Sequence, residues 1–124
     1  MSLIIWRDSV AMGDDIDAPH EWTVRLAGNA TVADLVTKIL RKGYLARIAG
    51  GLATWIVEGR QPVAVLAQQW SEPRWLVDSH TPASTLRRET GRANFEIRYW
   101  CQVEPEQVYA CLRGGAPLPK RYGP

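Results

Sequence analysis

The segment from Thr31 to Lys42 has the clearest helical pattern in the chain, and it limits which folds the remaining segments can complete. Its apolar side chains recur at the spacing of a single helix face, which comprises Val32, Leu35, Val36, Ile39 and Leu40. Thr31 and Asp34 have the spacing of a reciprocal N-terminal cap, and Gly43 follows the basic residues of the last turn. The pattern therefore predicts a helix that packs this stripe, Leu40 included, against a sheet.

Several other segments alternate as β-strands do, and they predict the sheet. Residues 3 to 12 form the first predicted strand, with Ile4, Trp6 and Val10 on one face and Arg7 on the other. The later predicted strands are residues 22–26, 53–58, 62–69, 74–77 and 95–103. The last of these has the longest alternation, and it places Trp100 opposite the apolar side chains of its strand.

The order of these elements predicts an α+β fold with a single mixed or antiparallel sheet and two or three helices. Its opening, two strands followed by a helix and two further strands, is the order of a β-grasp module. Pro105 suits the first position of a closing helix. We predict one domain over residues 1–115 and an extended or disordered tail over residues 116–124.

The end of the closing helix carries the tetrapeptide Leu112-Arg113-Gly114-Gly115, which is similar to the end of mature ubiquitin. The resemblance covers four residues and implies no family membership. Because the preceding residues from Pro105 have a helical pattern, the two glycines predict a helix stop.

Composition bounds the class of protein. The chain has 124 residues, of which 46% are hydrophobic and 23% charged, a balance typical of a folded domain. Its net charge is +2, so no strong overall field attracts a phosphate polymer. Since no apolar stretch approaches a membrane span and no secretory signal opens the chain, we expect a cytoplasmic protein without membrane contact.

The two cysteines, Cys101 and Cys111, are too few for a disulfide framework. Buried thiols are the simpler interpretation because unmodified cysteine packs as a small hydrophobe. A bridge between the two remains the alternative.

Residues 13–21 form an acidic segment with the densest set of potential proton-transfer and metal-binding groups: Asp14, Asp15, Asp17, His20 and Glu21. Their spacing matches neither a calcium loop nor a two-histidine zinc helix. A solvated turn favours the same residue types, so we expect no cofactor and no tightly bound metal. A metal-assisted hydrolase that uses this loop is the alternative function.

Six tryptophans are an unusual load for a chain of this length, and we predict core packing for Trp6, Trp22 and Trp55. Trp100 is expected on an exposed face, where tryptophan acts as an interface anchor. The predicted partner-binding residues are Trp75, Arg87, Arg88, Arg98 and Trp100.

These residues predict a small protein-binding or regulatory module without catalytic activity, which binds a protein partner or a second copy of itself. Arginines among aromatics also favour single-stranded nucleic acid, as the cluster of Arg87, Arg88, Arg92 and Arg98 does. Glu89 and Glu96 interrupt this cluster and the net charge is modest, so nucleic-acid binding is a further alternative.

Overall fold

The computed structural model describes residues 1–8, 20–42 and 52–120. Within them the strands and helices are β1 Ser2–Arg7, β2 Glu21–Arg25, α1 Val32–Lys42, β3 Thr54–Glu58, β4 Pro62–Ala67, β5 Arg74–Trp75, α2 Ala83–Leu86, β6 Phe95–Tyr99 and α3 Pro105–Gly114. No helix in these ranges is long and apolar enough to cross a membrane.

The strands form one sheet in the order β2-β1-β6-β3-β4-β5. The pair β1 and β6 is parallel, whereas the other neighbouring strands are antiparallel. The predicted α+β class with a single mixed sheet is therefore confirmed. The β-grasp assignment stays a prediction.

Helix α1 packs against one face of this sheet, as its apolar stripe predicts. The Thr31 amide donates to Asp34 Oδ2 at 2.9 Å, and the Asp34 amide donates to Thr31 Oγ1 at 3.2 Å. Leu35 and Ile39 are fully buried. Leu40 is 46% exposed, so its predicted burial is wrong. Successive helical residues are about 100° apart, which places Leu40 at the margin of the stripe.

The buried face of β1 is the opposite of the one that its tryptophan suggested. Leu3, Ile5 and Arg7 face the core, whereas Ile4 is 38% exposed and Trp6 is half-buried. Both faces of this strand carry apolar residues, so alternation alone does not say which face is inside. The pairing partners decide, because Ile5 lies opposite Trp22 on β2 and beside Phe95 on β6.

The predicted core role of the tryptophans holds fully for one of the three. Trp55 is 2% exposed and packs 4.7 Å from the ring of Tyr99. Trp6 and Trp22 are half-buried at the margin of the sheet.

Helix α3 covers part of the other face of the sheet, and Trp100 lies beneath it. The ring joins a buried cluster with Ile56, Val65 and Val108, and only 8% of the residue is accessible. Its Nε1 donates to the carbonyl of Pro119 at 2.9 Å. The predicted exposure of Trp100 is therefore wrong, because the face opposite Phe95 and Ile97 has its own cover.

The boundaries of α3 follow its sequence signals. Pro105 is its first residue, and the Glu104 side chain accepts from the Glu106 amide. Gly115 ends the helix in the left-handed conformation with a φ of 71°, which glycine adopts without steric cost. The predicted helix stop is confirmed. Cys101 and Cys111 are half-buried and are not joined by a disulfide.

Candidate protein-binding site

The acidic segment falls mostly outside the described residues, where Asp14, Asp15 and Asp17 lie. His20 Nδ1 lies 3.0 Å from the carbonyl oxygen of Arg7, and its ring stacks 5.6 Å from that of Trp6. Glu21 is exposed at the start of β2. Over the ranges that the structure describes, no three His, Cys, Asp or Glu side chains gather as a metal site.

Three of the clustered arginines belong to an arginine–glutamate network, which we define as Glu58, Arg88, Arg92, Glu96 and Arg98. Arg88 lies 3.2 Å from both Glu58 and Glu96. Arg98 contacts Glu58 at 3.2 Å, and Arg92 contacts Glu96 at 3.0 Å. Because Glu58 on β3 pairs with Glu96 on β6, two carboxylates meet across the sheet and the guanidinium of Arg88 bridges them.

Two opposing effects act on the pKa of Glu96 in this network. Partial burial of Glu96 disfavours its charge, but hydrogen bonds and charges from Arg88 and Arg92 outweigh that effect. The pKa of the Glu96 carboxyl is consequently held below its ordinary value. At neutral pH Arg88 and Arg92 therefore face the ionised carboxylate of Glu96 at close range.

The network rests on a tightly packed turn between β3 and β4. Arg88 Nε donates to the carbonyl of Gly59 at 2.8 Å, and the Arg60 amide donates to the carbonyl of Leu86 at 2.8 Å. A Cβ atom at Gly59 would collide with the carbonyl oxygen of Leu86 and lie 2.7 Å from Phe95 Cε1. Glycine is needed here for close approach, and the segment after α2 is held against the sheet.

Aromatic rings lie at both ends of the network. The guanidinium of Arg92 lies 4.2 Å from the ring centroid of Trp6, and that of Arg98 lies 5.1 Å from that of Trp100. Stacking of this kind orders the arginine side chains without a ligand.

The predicted partner-binding residues are only partly brought together. Arg88 and Arg98 share the network, while Arg87 Nε lies 3.5 Å from Glu89. Trp75 packs against the α1 side of the sheet, and Trp100 packs in the cluster beneath α3. The two tryptophans therefore lie on opposite faces of the sheet and do not form one surface.

A second feature was not predicted, namely a groove between β2 and α1. The β2–α1 groove has a volume of about 490 Å³ and is lined by Trp22, Asp34, Thr37, Lys38, Arg41 and Lys42. Lys42 Nζ lies 5.6 Å from the ring centroid of Trp22. Lys38 Nζ donates to the carbonyl of Arg25 at 3.1 Å.

The groove carries a net positive charge. Its cationic side chains are Lys38, Arg41 and Lys42, and within the described part of the chain none of them forms an ion pair. The one carboxylate among the described lining residues, Asp34, accepts from the amide of Thr31.

A sequence signal for this site existed. Lys38, Arg41 and Lys42 follow the i, i+3, i+4 spacing that places side chains together on one helix face. Cations near the C-terminus of a helix also complement its dipole, so this spacing alone does not distinguish a binding site from helix stabilisation. The strand that faces them was not identifiable from the helix.

The geometry thus separates a network of paired arginines and glutamates from a concave surface with net positive charge beside a tryptophan. Comparison with other proteins adds no relative: none of the family models, curated proteins or solved structures compared with this chain matches it significantly.

Proposed function

We propose that this chain is a protein-binding or regulatory module without catalytic activity, and that the β2–α1 groove is its partner-binding site. The observation that carries the proposal is a set of cations beside Trp22, in a concave surface, that form no ion pair with any residue in the described ranges. Concave surfaces with an aromatic anchor and a few convergent polar groups are where ligands commonly bind.

Trp22 supplies the anchor in this proposal. Its ring lies on β2, within the continuous sheet, and Lys42 lies over it. Tryptophan is enriched among the residues that dominate protein interfaces because it contributes a large apolar area and a hydrogen-bond donor.

Charge favours the groove over the arginine–glutamate network as the binding site. An acidic partner at the network would have to displace Glu58 or Glu96 from Arg88, with which both are in contact. Breaking such a pair leaves a partly buried charge without its partner, which is costly. At Arg41 no ion pair with a described residue needs to be broken, so an incoming carboxylate adds its attraction.

Selection from a library of random peptides tests this proposal. The immobilised chain is compared with a groove variant, Arg41→Glu with Lys42→Glu, and with a control of equal charge change, Arg60→Glu with Arg113→Glu. Both control positions lie outside the groove lining. We expect enriched peptides whose affinity falls about tenfold or more in the groove variant and stays within about threefold in the control.

Two results would contradict the proposal. One is the absence of any enriched peptide with a Kd below about 100 μM. The other is a set of peptides that bind the groove variant and the control variant equally well, since their site would then lie elsewhere. Thermal melts of all variants establish that each is folded.

A further inference from the structure

We propose that the partner of the β2–α1 groove is an acidic peptide segment in extended conformation, which adds as a strand to the outer edge of β2. This inference rests on the proposed function, because it names the chemistry of the ligand at the same site. Main-chain hydrogen bonds would hold the peptide, and its carboxylates would meet the cations of α1.

The outer edge of β2, which no other described strand pairs with, is where such an addition would take place. β2 is the first strand of the sheet and pairs only with β1 among the described strands. Leu26 exchanges two hydrogen bonds with Met1, at 2.8 and 2.9 Å. Because hydrogen-bonding directions alternate along an antiparallel strand, Arg25, Thr23 and Glu21 direct their N–H and C=O groups away from β1.

One contact links this edge to the groove. The carbonyl of Arg25, which points away from β1, accepts from Lys38 Nζ at 3.1 Å. Lys38 also lines the groove, so its side chain connects the outer edge of β2 to the cationic face of α1. The same contact shows that the carbonyl of Arg25 accepts a hydrogen bond from a donor on the outer side of β2.

Side-chain alternation explains how an added strand would use the groove. Trp22 and Val24 face α1, since both belong to or pack against the main core cluster. Side chains of the added strand that point to this face would lie beside Trp22 and reach Lys38 and Arg41. Acidic residues at those positions complement the cations, and β-branched residues favour the extended conformation.

The opposite edge of the sheet is a poorer template. β5 has two residues, Arg74 and Trp75, whereas β2 has five. Short edge strands offer few hydrogen bonds to an added chain.

A second copy of the chain is disfavoured as the occupant of the β2 edge. Symmetric pairing of two β2 edges would place both α1 helices on the same side of the joined sheet. The cationic residues Lys38, Arg41 and Lys42 of the two copies would then face each other, and like charges repel.

The test uses the full chain and random peptides of about ten residues, with the Lys38→Glu and Arg41→Glu double variant as counter-selection. We expect the enriched peptides to be acidic and rich in β-branched residues. The best peptide is then synthesised in two further copies, one N-methylated at its odd and one at its even positions. N-methylation removes hydrogen-bond donors from one side of an extended chain.

For strand addition, one methylated copy should bind about tenfold more weakly than the other, because only one side of the peptide meets β2. Hydrogen exchange at the Thr23 amide should slow on binding, while the Val24 amide, which points to β1, serves as the control. Two copies that bind equally well, or equally poorly, would overturn strand addition. Enrichment of neutral or basic peptides would overturn the acidic ligand.

Failure of this inference is distinguishable from failure of the proposed function. If no peptide binds, both fail. If peptides bind and depend on Arg41 but do not slow exchange at Thr23, the groove stands as a binding site and the strand model is wrong. Dimers in sedimentation that are lost in Thr23→Pro, but not in Thr23→Ala, would identify a second copy as the occupant and overturn the peptide proposal.

Discussion

The arginine–glutamate network and the β2–α1 groove both contain basic and acidic side chains, but the basic side chains are paired in the network and form no ion pair with a described residue in the groove. In the network, Arg88 lies 3.2 Å from each of two glutamates. In the groove, Arg41 lines a concave surface and has no ion pair within the described residues. A basic cluster in a sequence therefore predicts a binding surface only when the positions of the surrounding carboxylates are known.

Backbone geometry produces this difference. Strand pairing sets Glu58 opposite Glu96, and the segment after α2 brings Arg88 over both. Helix α1 instead gathers Lys38, Arg41 and Lys42 on its exposed side, with Asp34 turned to the N-terminal cap. We therefore expect structural roles for the network and a binding role for the groove, and four predictions test that contrast.

The largest effect is expected at one end of the network. Trp100→Ala should lower the free energy of unfolding by about 4 kcal/mol, because it empties a buried site beneath α3. Leu40→Ala on the exposed margin of α1 is the control and should cost less than about 0.5 kcal/mol. Denaturant unfolding measures both. A change below about 1 kcal/mol for Trp100→Ala would show that its face of the sheet is open, as its alternation first suggested.

The turn beneath the network should be nearly as sensitive. Gly59→Ala should destabilise the chain by about 3 kcal/mol, because the added Cβ collides with the carbonyl of Leu86. Gly28→Ala provides the matched control, since a Cβ at Gly28 meets nothing within 4 Å. Equal melting temperatures for the two variants would contradict the close packing of the network on the sheet.

The charge balance of the network should appear as a pH dependence. Glu96→Gln should cost about 1 to 2 kcal/mol at neutral pH, because Arg88 and Arg92 lose an ionised partner. The pKa of Glu96 is lowered in the folded chain, so its contribution to stability is present above the ordinary carboxyl pKa. That contribution is lost as the pH falls through the lowered folded value.

Unfolding of the wild type and of Glu96→Gln at a series of pH values measures this effect. The difference between them should shrink towards zero as the pH falls through the lowered pKa of Glu96, because the carboxyl becomes protonated. A difference that stays constant over this range would mean that Glu96 acts through packing and not through charge.

The smallest effect on stability is expected in the groove, where an arginine can be compared directly with one in the network. Arg41→Gln should change the free energy of unfolding by less than about 0.5 kcal/mol, because no described carboxylate depends on it. The same substitution in the network, Arg88→Gln, should cost about 1 to 2 kcal/mol. Equal losses in parallel denaturant melts would erase the distinction between the two regions.

Local features were predictable from the sequence to the extent that a few neighbouring residues decide them. Thr31 and Asp34 are three residues apart, and their reciprocal cap formed as expected. Gly115 ended α3 because the left-handed conformation is a local preference of glycine. The buried positions of Leu35 and Ile39 likewise follow from helical periodicity.

The candidate site was predictable only in fragments. The acidic loop and the arginine cluster were visible as sequence features, yet the structure neutralises much of the cluster through Glu58, which is 40 residues from Arg98. The groove combines residues of β2 and α1, and the sequence pattern of neither segment predicts that the two lie side by side. The sequence shows the cations of α1, but whether they form part of a binding site depends on the strand that lies beside them.

The sequence alone was therefore enough to predict the class of fold, the span of α1, the end of α3 and the alternation of β6, because each depends on periodicity or on caps within about four residues. The packing of distant segments was needed to show that Arg7 faces inward, that Trp100 is covered and that Arg88 lies between two glutamates. Alternation separates the two faces of a strand but does not say what covers each face. That depends on contacts such as the one between Trp100 and Pro119, which strand pairing and helix packing bring together across long separations in the chain.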